Sequence, residues 1–417
     1  MLRRWLDSAL SRLSPERLTR DKATELLRSS GAPPRQSLVI AIGKAAVPML
    51  AGWRAACREW PAQPTFVSAP GTAPVAVDPL TRWFSGGHPV PNAASLVAAE
   101  AMLTAARELA ASPAASMAPR RIVALISGGG SAMAELPRAN LGLDNLQSLY
   151  RDLVACGAPI EAMNVIRKHA SRFKGGQLAA AAGAAVEQWT LVLSDVAGDD
   201  FSQVASGPTL PDPSSQADAE ASLRQWLPHR NLEMGETPKP GSATFARSQS
   251  HALATNTDLC RFVAELASGE GYAPVVLDAA ADESECAAAA DYLASRWREL
   301  RAAHARPCLI AGGEVRVRLP PDSGAGGRNQ QVALTVAGLL AGESFQFLSA
   351  GTDGVDGSSH AAGALVNGET WARARRAGHD PRQALAQCNT TPLLEAIGDL
   401  VVTGPTGNNL RDLRVFI

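Results

Sequence analysis

The chain has almost no net charge, with 39 Lys and Arg against 40 Asp and Glu, −1 overall in 417 residues. It therefore presents no field of one sign to nucleic acid or to an anionic membrane. No stretch approaches the ~18 consecutive strongly apolar residues of a membrane span; the longest apolar runs are rich in alanine. Six cysteines (Cys57, Cys156, Cys260, Cys286, Cys308 and Cys388) lie far apart, and no pair has C-x-x-C spacing. That excludes a zinc or dithiol motif of this kind and leaves buried thiols in a reducing compartment. The glycine loop Gly128-Gly129-Gly130 neither runs on into Gly-Lys-Ser/Thr nor fits G-x-G-x-x-G, so it is neither a Walker A loop nor a dinucleotide fingerprint. The N-terminal "MLRRWLDSALSRLSPERL" reads as an amphipathic helix carrying Asp7 and Glu16, without the continuous apolar core of a signal peptide. A cytoplasmic protein is expected.

What is present is the composition of an ordered chain, 46% hydrophobic and 19% charged, long enough for two or three domains with separate cores. Short apolar runs alternate with alanine-rich segments of helical period, the pattern of an α/β fold. "SLVIAI" (37–42), "RIVALI" (121–126), "TLVLSD" (190–195), "APVVLD" (273–278), "PCLIAG" (307–312) and "FQFLSA" (345–350) read as buried strands. Val315 to Leu319 reads as a further, alternating strand. In an open parallel sheet, ligands collect beyond the strand C-termini. A Pro-, Gly- and Ser-rich section from 211 to about 250 marks a domain boundary, expected to divide the chain into 1–240 and 241–417.

The residues following those runs carry the chemistry. Gly43 permits close backbone approach, and Lys44 stands at a helix start, where it serves either as a phosphate ligand or as a solvated lysine. His88, in a loop stiffened by prolines, either bonds a ligand or is merely satisfied. Ser127-Gly128-Gly129-Gly130-Ser131 reads equally as an anion cradle or as a tight turn beside a helix. A helix ending at Gly175-Gly176 places Asn164, Lys168 and Ser171 on one side, although a basic run such as Arg167 to Lys174 is usually a solvated face. Asp195 closes a strand ahead of Asp199 and Asp200, and hard carboxylates near a phosphate loop suit magnesium as well as they suit helix caps. Glu314, Arg328 and Asp353 each follow glycines. Loops of this kind, with one Lys, one Arg and several carboxylates, point to phosphoryl transfer.

The stretches "AIGKAA", "GGHPVPNAAS", "ISGGGSA", "MNVIRKHASRFKGGQLA", "SDVAGDDFSQVASGPTLPD", "GGEVRV", "GAGGRNQQVAL", "GTDGVDGSS" and "TGPTGNNLRDL" run from 38 to 413. In them the chain resembles the glycerate 2-kinase family, often labelled hydroxypyruvate reductase. The resemblance implies phosphorylation of D-glycerate at its 2-hydroxyl, with ATP and Mg2+. It also implies a Rossmann-like three-layer N-terminal domain, a smaller C-terminal α/β domain and an active site in the cleft between them. Lys44, Arg328 and Asp353 would be catalytic. Gly43, His88, Ser127, Gly128, Gly129, Gly130, Ser131, Asn164, Lys168, Lys174, Asn329, Thr406 and Asn408 would bind substrate or nucleotide, with Asp195 and Glu314 on the metal. Asn408 stands where the family usually has threonine. The partners implied are small molecules, with no nucleic acid and no membrane; a homodimer is compatible with the sequence. An NAD(P)-dependent hydroxypyruvate reductase would need a dinucleotide loop with an acidic residue about 20 positions on, and no such pairing is found.

Overall fold

The computed structural model describes residues 1–417 except 35, 73–77, 114–118, 139–140, 195–200 and 278–283. It forms two compact units, one of Pro15–Leu253 and one of Met1–Ser14 with Ala254–Ile417.

In the first unit, β1 (Ser37–Ile42), β2 (Thr65–Ala69), β3 (Thr81–Ser85), β4 (Arg121–Ser127), β5 (Glu187–Leu193) and β6 (Ser248–Ala254) form one sheet in the order β3-β2-β1-β4-β5-β6. The pairs β1/β2, β1/β4, β2/β3 and β4/β5 are parallel. β1, β2 and β4 are buried at every position, which is why β1 and the body of β4 read as apolar runs. Leu38, Ile40 and Ile42 pack with Ala98 and Met102 of helix Ala93–Ala111, while the fully buried Val39 and Ala41 alternate onto the other face. Parallel pairing brings the ends of β1, β3, β4 and β5 to one edge, so Gly43-Lys44, Gly86 to His88 and Gly128 to Ser131 gather there.

The second unit holds a mixed sheet made of β7 (Ala273–Val276), β8 (Pro307–Ala311), β9 (Gln346–Gly351), β10 (Gly363–Asn367), β11 (Leu400–Val401) and β12 (Asp412–Phe416), in the order β11-β10-β9-β12-β8-β7. β7 and β8 are parallel; β12 runs antiparallel to both β8 and β9. β8 and β9 therefore point the same way, and the start of β12 lies at the edge where they end. Asp412 pairs in register with Gly351. This geometry collects Gly312 to Glu314, the turn after Gly351 and Asp412.

Three sequence expectations are corrected. The N-terminal helix is two helices, Leu2–Arg12 and Pro15–Ser30, because Pro15 lacks the N–H that would continue the first. Leu2–Arg12 belongs to the unit formed by the C-terminal half, and Gly241 to Leu253 belongs to the other, so the compact units differ from a single cut at 240/241. The reason is packing. Leu2, Trp5, Leu6 and Ala9 are buried, Trp5 meets Tyr272 edge-on at 5.6 Å, and Trp5 Nε1 donates to Glu270 at 3.0 Å. Lastly, Val315 to Leu319 is not a strand; Val315 and Val317 pack on the core as the alternation implies, but the backbone pairs only through one isolated bridge between Arg316 and Glu285, so burial of one face does not by itself make a ladder.

Trp5→Phe is expected to lower the stability of the full chain modestly, because it removes the indole N–H donor to Glu270 while keeping an aromatic ring in the same place. Chemical denaturation with an unchanged m-value would register it as a lower midpoint.

Candidate functional site

The first sheet's edge is built around a backbone contact. Gly43 has φ +119°, and a Cβ there would lie 2.4 Å from Ser127 O and Oγ, so only glycine allows the two loops to touch. Gly43 N–H donates to Ser68 O (3.0 Å), Lys44 N–H to Gly128 O (3.0 Å) and Ala45 N–H to Ser127 Oγ (3.0 Å). Three successive amides at the first strand-to-helix turn are thus used inside the protein. Gly129 has φ +79°, and a Cβ on it would meet His88 Cδ2 at 3.0 Å, which places the imidazole against the glycine loop. The helix after that loop, Gly130–Met133, is a single turn.

Polar side chains behind the loop hold one another. Ser206 O–H donates to Asn164 Oδ1 at 2.9 Å. Because Asn164 Oδ1 can only accept, the 2.9 Å contact between Ser131 and Ser206 hydroxyls has Ser131 as donor. Asn164 Nδ2 donates to Gln203 Oε1 at 2.9 Å. Ala205 and Ser206 have φ of 51° and 56°, two successive non-glycine residues in the left-handed region. Such strain persists only where surroundings fix it, as these bonds do.

Lys168 and Lys174 are corrections to the sequence reading. The helix ends at His169, not at Gly175, and both ammonium groups are buried on carboxylates remote in sequence. Lys168 Nζ lies 3.3 Å from Asp212 Oδ1. Although burial opposes it, His169, Lys168, Ser214 and Thr237 hold the Asp212 carboxyl well below the usual carboxylate range. Lys174 donates to Glu135 Oε2 and, at 2.9 Å, to Tyr150 Oη; burial pushes its ammonium down to about 8. Tyr150 donates to Glu135 Oε2 at 2.5 Å and lies 3.0 Å from Ser131 O. These lysines are internal ion pairs that brace the loop, and Asn164 and Ser171 are buried with them.

The residues left facing outward are Lys44 and His88, both exposed, and half-buried Arg167. Desolvation by the surrounding protein, then Lys44 and Arg167, lower the His88 pKa, so it is neutral near pH 7. Sequence reasoning did not single out Arg167; it lay inside a basic run in which Lys168, His169 and Lys174 are buried and Arg172 is exposed. Asp195, Asp199 and Asp200 lie outside the described residues.

The second sheet's edge is centred on Arg328, the first residue of helix Arg328–Leu339. Its Nε and Nη2 donate to Asp412 Oδ2 (2.8 Å) and Oδ1 (3.0 Å), a bidentate pair, and Nη2 also donates to Glu314 Oε1 at 2.8 Å. Burial works against the charge, but Asp412 and Glu314 hold this guanidinium above its ordinary pKa. Arg414 supports Asp412 from behind at 3.0 Å. A cation at a helix start opposes the helix dipole, and Asp356 offsets this by accepting from Asn329 N–H (3.0 Å) and Gln330 N–H (2.9 Å). Asp353 is half-buried, and its Oδ1 accepts from Val355 N–H at 3.1 Å.

Three residues expected to bind ligand here make contacts inside the protein. Asn329 is buried between Asp356 and Ser349. Buried Asn408 donates to Leu13 O at 3.0 Å, tying its loop to the N-terminal segment. Thr406 Oγ1 donates to Thr352 O at 2.5 Å and its N–H to Asp353 O at 3.1 Å, so it braces the Asp353 turn.

Burial raises the Asp356 carboxyl to about 6, above the ~3.9 of an unfolded aspartate. The folded chain then holds this proton more tightly, so its contribution to stability is present below pH ~4 and is lost as pH rises through 6, at up to ~1.4 kcal/mol per pH unit. Asp356→Asn keeps an acceptor for the cap, and its stability should be flatter than wild type between pH 4 and 6. Parallel profiles from denaturant titrations at each pH would contradict this assignment.

Among the described residues, no group of three His, Cys, Asp or Glu side chains could hold a metal ion, and no helix is long and apolar enough to cross a membrane. Burial pushes the thiols of Cys57, Cys260, Cys286 and Cys308 up to about 12, which makes them inert as nucleophiles near neutral pH.

The fold is mixed α/β, with Lys44, His88 and Arg167 at the edge of the first sheet and the Arg328, Glu314 and Asp412 cluster at the edge of the second. Residues 1–234 match DUF4147, a domain of unknown function, and residues 307–412 match the MOFRL family. The chain is 34% identical to the D-glycerate 2-kinase of Thermotoga maritima, over 79% of this chain and 78% of that protein. It is 35% identical, over 100% of this chain and 94% of the relative, to a protein of Agrobacterium vitis provisionally named a hydroxypyruvate reductase. The crystal structure of glycerate kinase from Thermotoga maritima superposes with a TM-score of 0.86 at 30% identity, covering 100% of this chain and 98% of that one. The chain belongs to the glycerate kinase family.

Proposed function

We propose that the protein transfers the γ-phosphoryl group of ATP to the 2-hydroxyl of D-glycerate, giving 2-phosphoglycerate and ADP. Family membership supports the kinase activity, and one observation weighs against the reductase reading. A dinucleotide pyrophosphate sits on the amides of the first strand-to-helix turn in a Rossmann-like domain. Here the amides of Gly43, Lys44 and Ala45 already donate to Ser68, Gly128 and Ser127. The strand order β3-β2-β1-β4-β5-β6 supports calling the first unit Rossmann-like in architecture, without a dinucleotide loop at that turn.

In this reading Lys44 and Arg328 offset negative charge on the transferring phosphoryl group, and Asp353 accepts the hydroxyl proton. A magnesium ion would neutralise phosphate oxygens. The described residues do not by themselves form its site, because Glu314 faces Arg328 and no cluster of three ligands is present among them. That the two edges meet in a cleft between the units, as the family resemblance implies, is part of the same proposal. Mg-ATP and D-glycerate should yield product that enolase consumes directly, without a mutase. Accumulation of 3-phosphoglycerate would overturn the regiochemistry, and oxidation of reduced nicotinamide with hydroxypyruvate would favour the reductase.

A further inference from the structure

Arg167 stands on the last turn of the helix Ile160–His169. Its guanidinium lies over the Tyr150 ring at 5.0 Å, and Nη1 is 3.5 Å from Asn164 Oδ1, the outer limit of a hydrogen bond. Its Nε is buried with no hydrogen-bond partner, and among the described residues no carboxylate forms an ion pair with it. The nearby acid, Glu135, is engaged by Lys174 and Tyr150. A guanidinium partly removed from water and left without an anion is costly, and here His88, Lys44 and Lys174 add further basic groups around it. Both residues that position Arg167 are tied to the glycine loop, Tyr150 through Ser131 O and Asn164 through Ser206 to Ser131 Oγ. Among the described residues, then, this guanidinium is held in place on the glycine loop without an anionic partner.

We infer that Arg167 is the residue that binds the substrate's carboxylate, with His88 as a neutral hydrogen-bonding neighbour on the same edge. The inference rests on the glycerate kinase reading for the identity of the substrate. An oxyanion is the shared chemistry, and phosphate is the other source. Carboxylate is favoured because one planar fork matches two coplanar oxygens of a single charge. The amides that a polyphosphate would use at the neighbouring turn are also already engaged.

The test uses the full chain, with Arg167→Met and Arg167→Lys. Arg167→Met should raise the KM for D-glycerate about 10- to 100-fold, the loss expected for a charged hydrogen-bond partner, with the KM for ATP nearly unchanged. Arg167→Lys should recover part of this, since it keeps the charge and loses the fork. Calorimetry on the wild type should show D-glycerate binding and much weaker binding of glyceramide, its neutral amide, a comparison that needs no variant to fold. Equal binding of acid and amide, an unchanged glycerate KM, or a rise confined to the ATP KM would each overturn the inference, the last by assigning Arg167 to phosphate. If glycerate binds in an Arg167-dependent way but no phosphorylation occurs, the kinase reading fails and this inference stands. If the wild type does not bind glycerate, both fail.

Discussion

Lys44→Ala and Arg328→Ala should each lower kcat by ~10²-fold or more while the chain remains folded, the range seen when a donor to transition-state charge is removed. Lys44 is exposed, so its removal leaves no cavity. Arg328 is more entangled, because it holds buried Asp412 and half-exposed Glu314. Arg414 still pairs with Asp412 at 3.0 Å in the variant, which keeps that carboxylate compensated. An effect on Arg328 that came only from folding would appear as a lowered unfolding midpoint with unchanged kcat in the folded fraction. Near-wild-type turnover in both variants would show that neither cation faces the reacting group.

Lys174→Met should be the most destabilising single change in the first unit's polar interior, by about 3–5 kcal/mol, because it leaves the Glu135 carboxylate buried without its cation. Glu135 and Lys174 are almost entirely excluded from solvent, so water cannot replace the lost partner. The double variant Lys174→Met/Glu135→Leu should regain most of the loss, since Tyr150 Oη still has Ser131 O as an acceptor at 3.0 Å. A double-mutant cycle on denaturation midpoints separates the pair's coupling from the two single effects. If the double variant were as unstable as the sum of the singles, the pair would not be coupled and Lys174 would have another partner.

Several strands were legible because burial on both faces makes an apolar run. "SLVIAI" is β1 to the residue, and "RIVALI" is β4 but for Ser127. β12 was not legible. Its "DLRVF" carries Asp412 and Arg414, both buried, and an ion pair that neutralises itself across two positions of one strand looks like a surface segment in sequence. β2 and β3 were hidden in the same way, by Thr, Ser and Arg within five-residue strands. "TLVLSD" was read late, since β5 begins at Glu187 with Gln188 and Trp189, residues whose polarity masks the start.

The basic run from Arg167 to Lys174 shows where local reading stops. Helical spacing groups Asn164, Lys168 and Ser171, and composition suggests a solvated face. Neither reveals that Asp212 and Glu135 lie within reach, because those carboxylates are 44 and 39 residues away. Only the folded chain decides which cations are neutralised inside and which remain for a ligand.

The sequence by itself determined the α/β class, the glycine turns at strand ends and the family, since these depend on local backbone conformation and on motifs continuous along the chain. Tertiary structure decided the allocation of charge. Lys168 and Lys174 became internal ion pairs, Asn408 an anchor for Leu13 and Arg328 the centre of an Asp412–Glu314 cluster, while Lys44 and His88 stay exposed and Arg167 half-buried. The physical reason is that a charge's role depends on its distance to other charges and to water, and folding sets those distances between residues that sequence holds far apart.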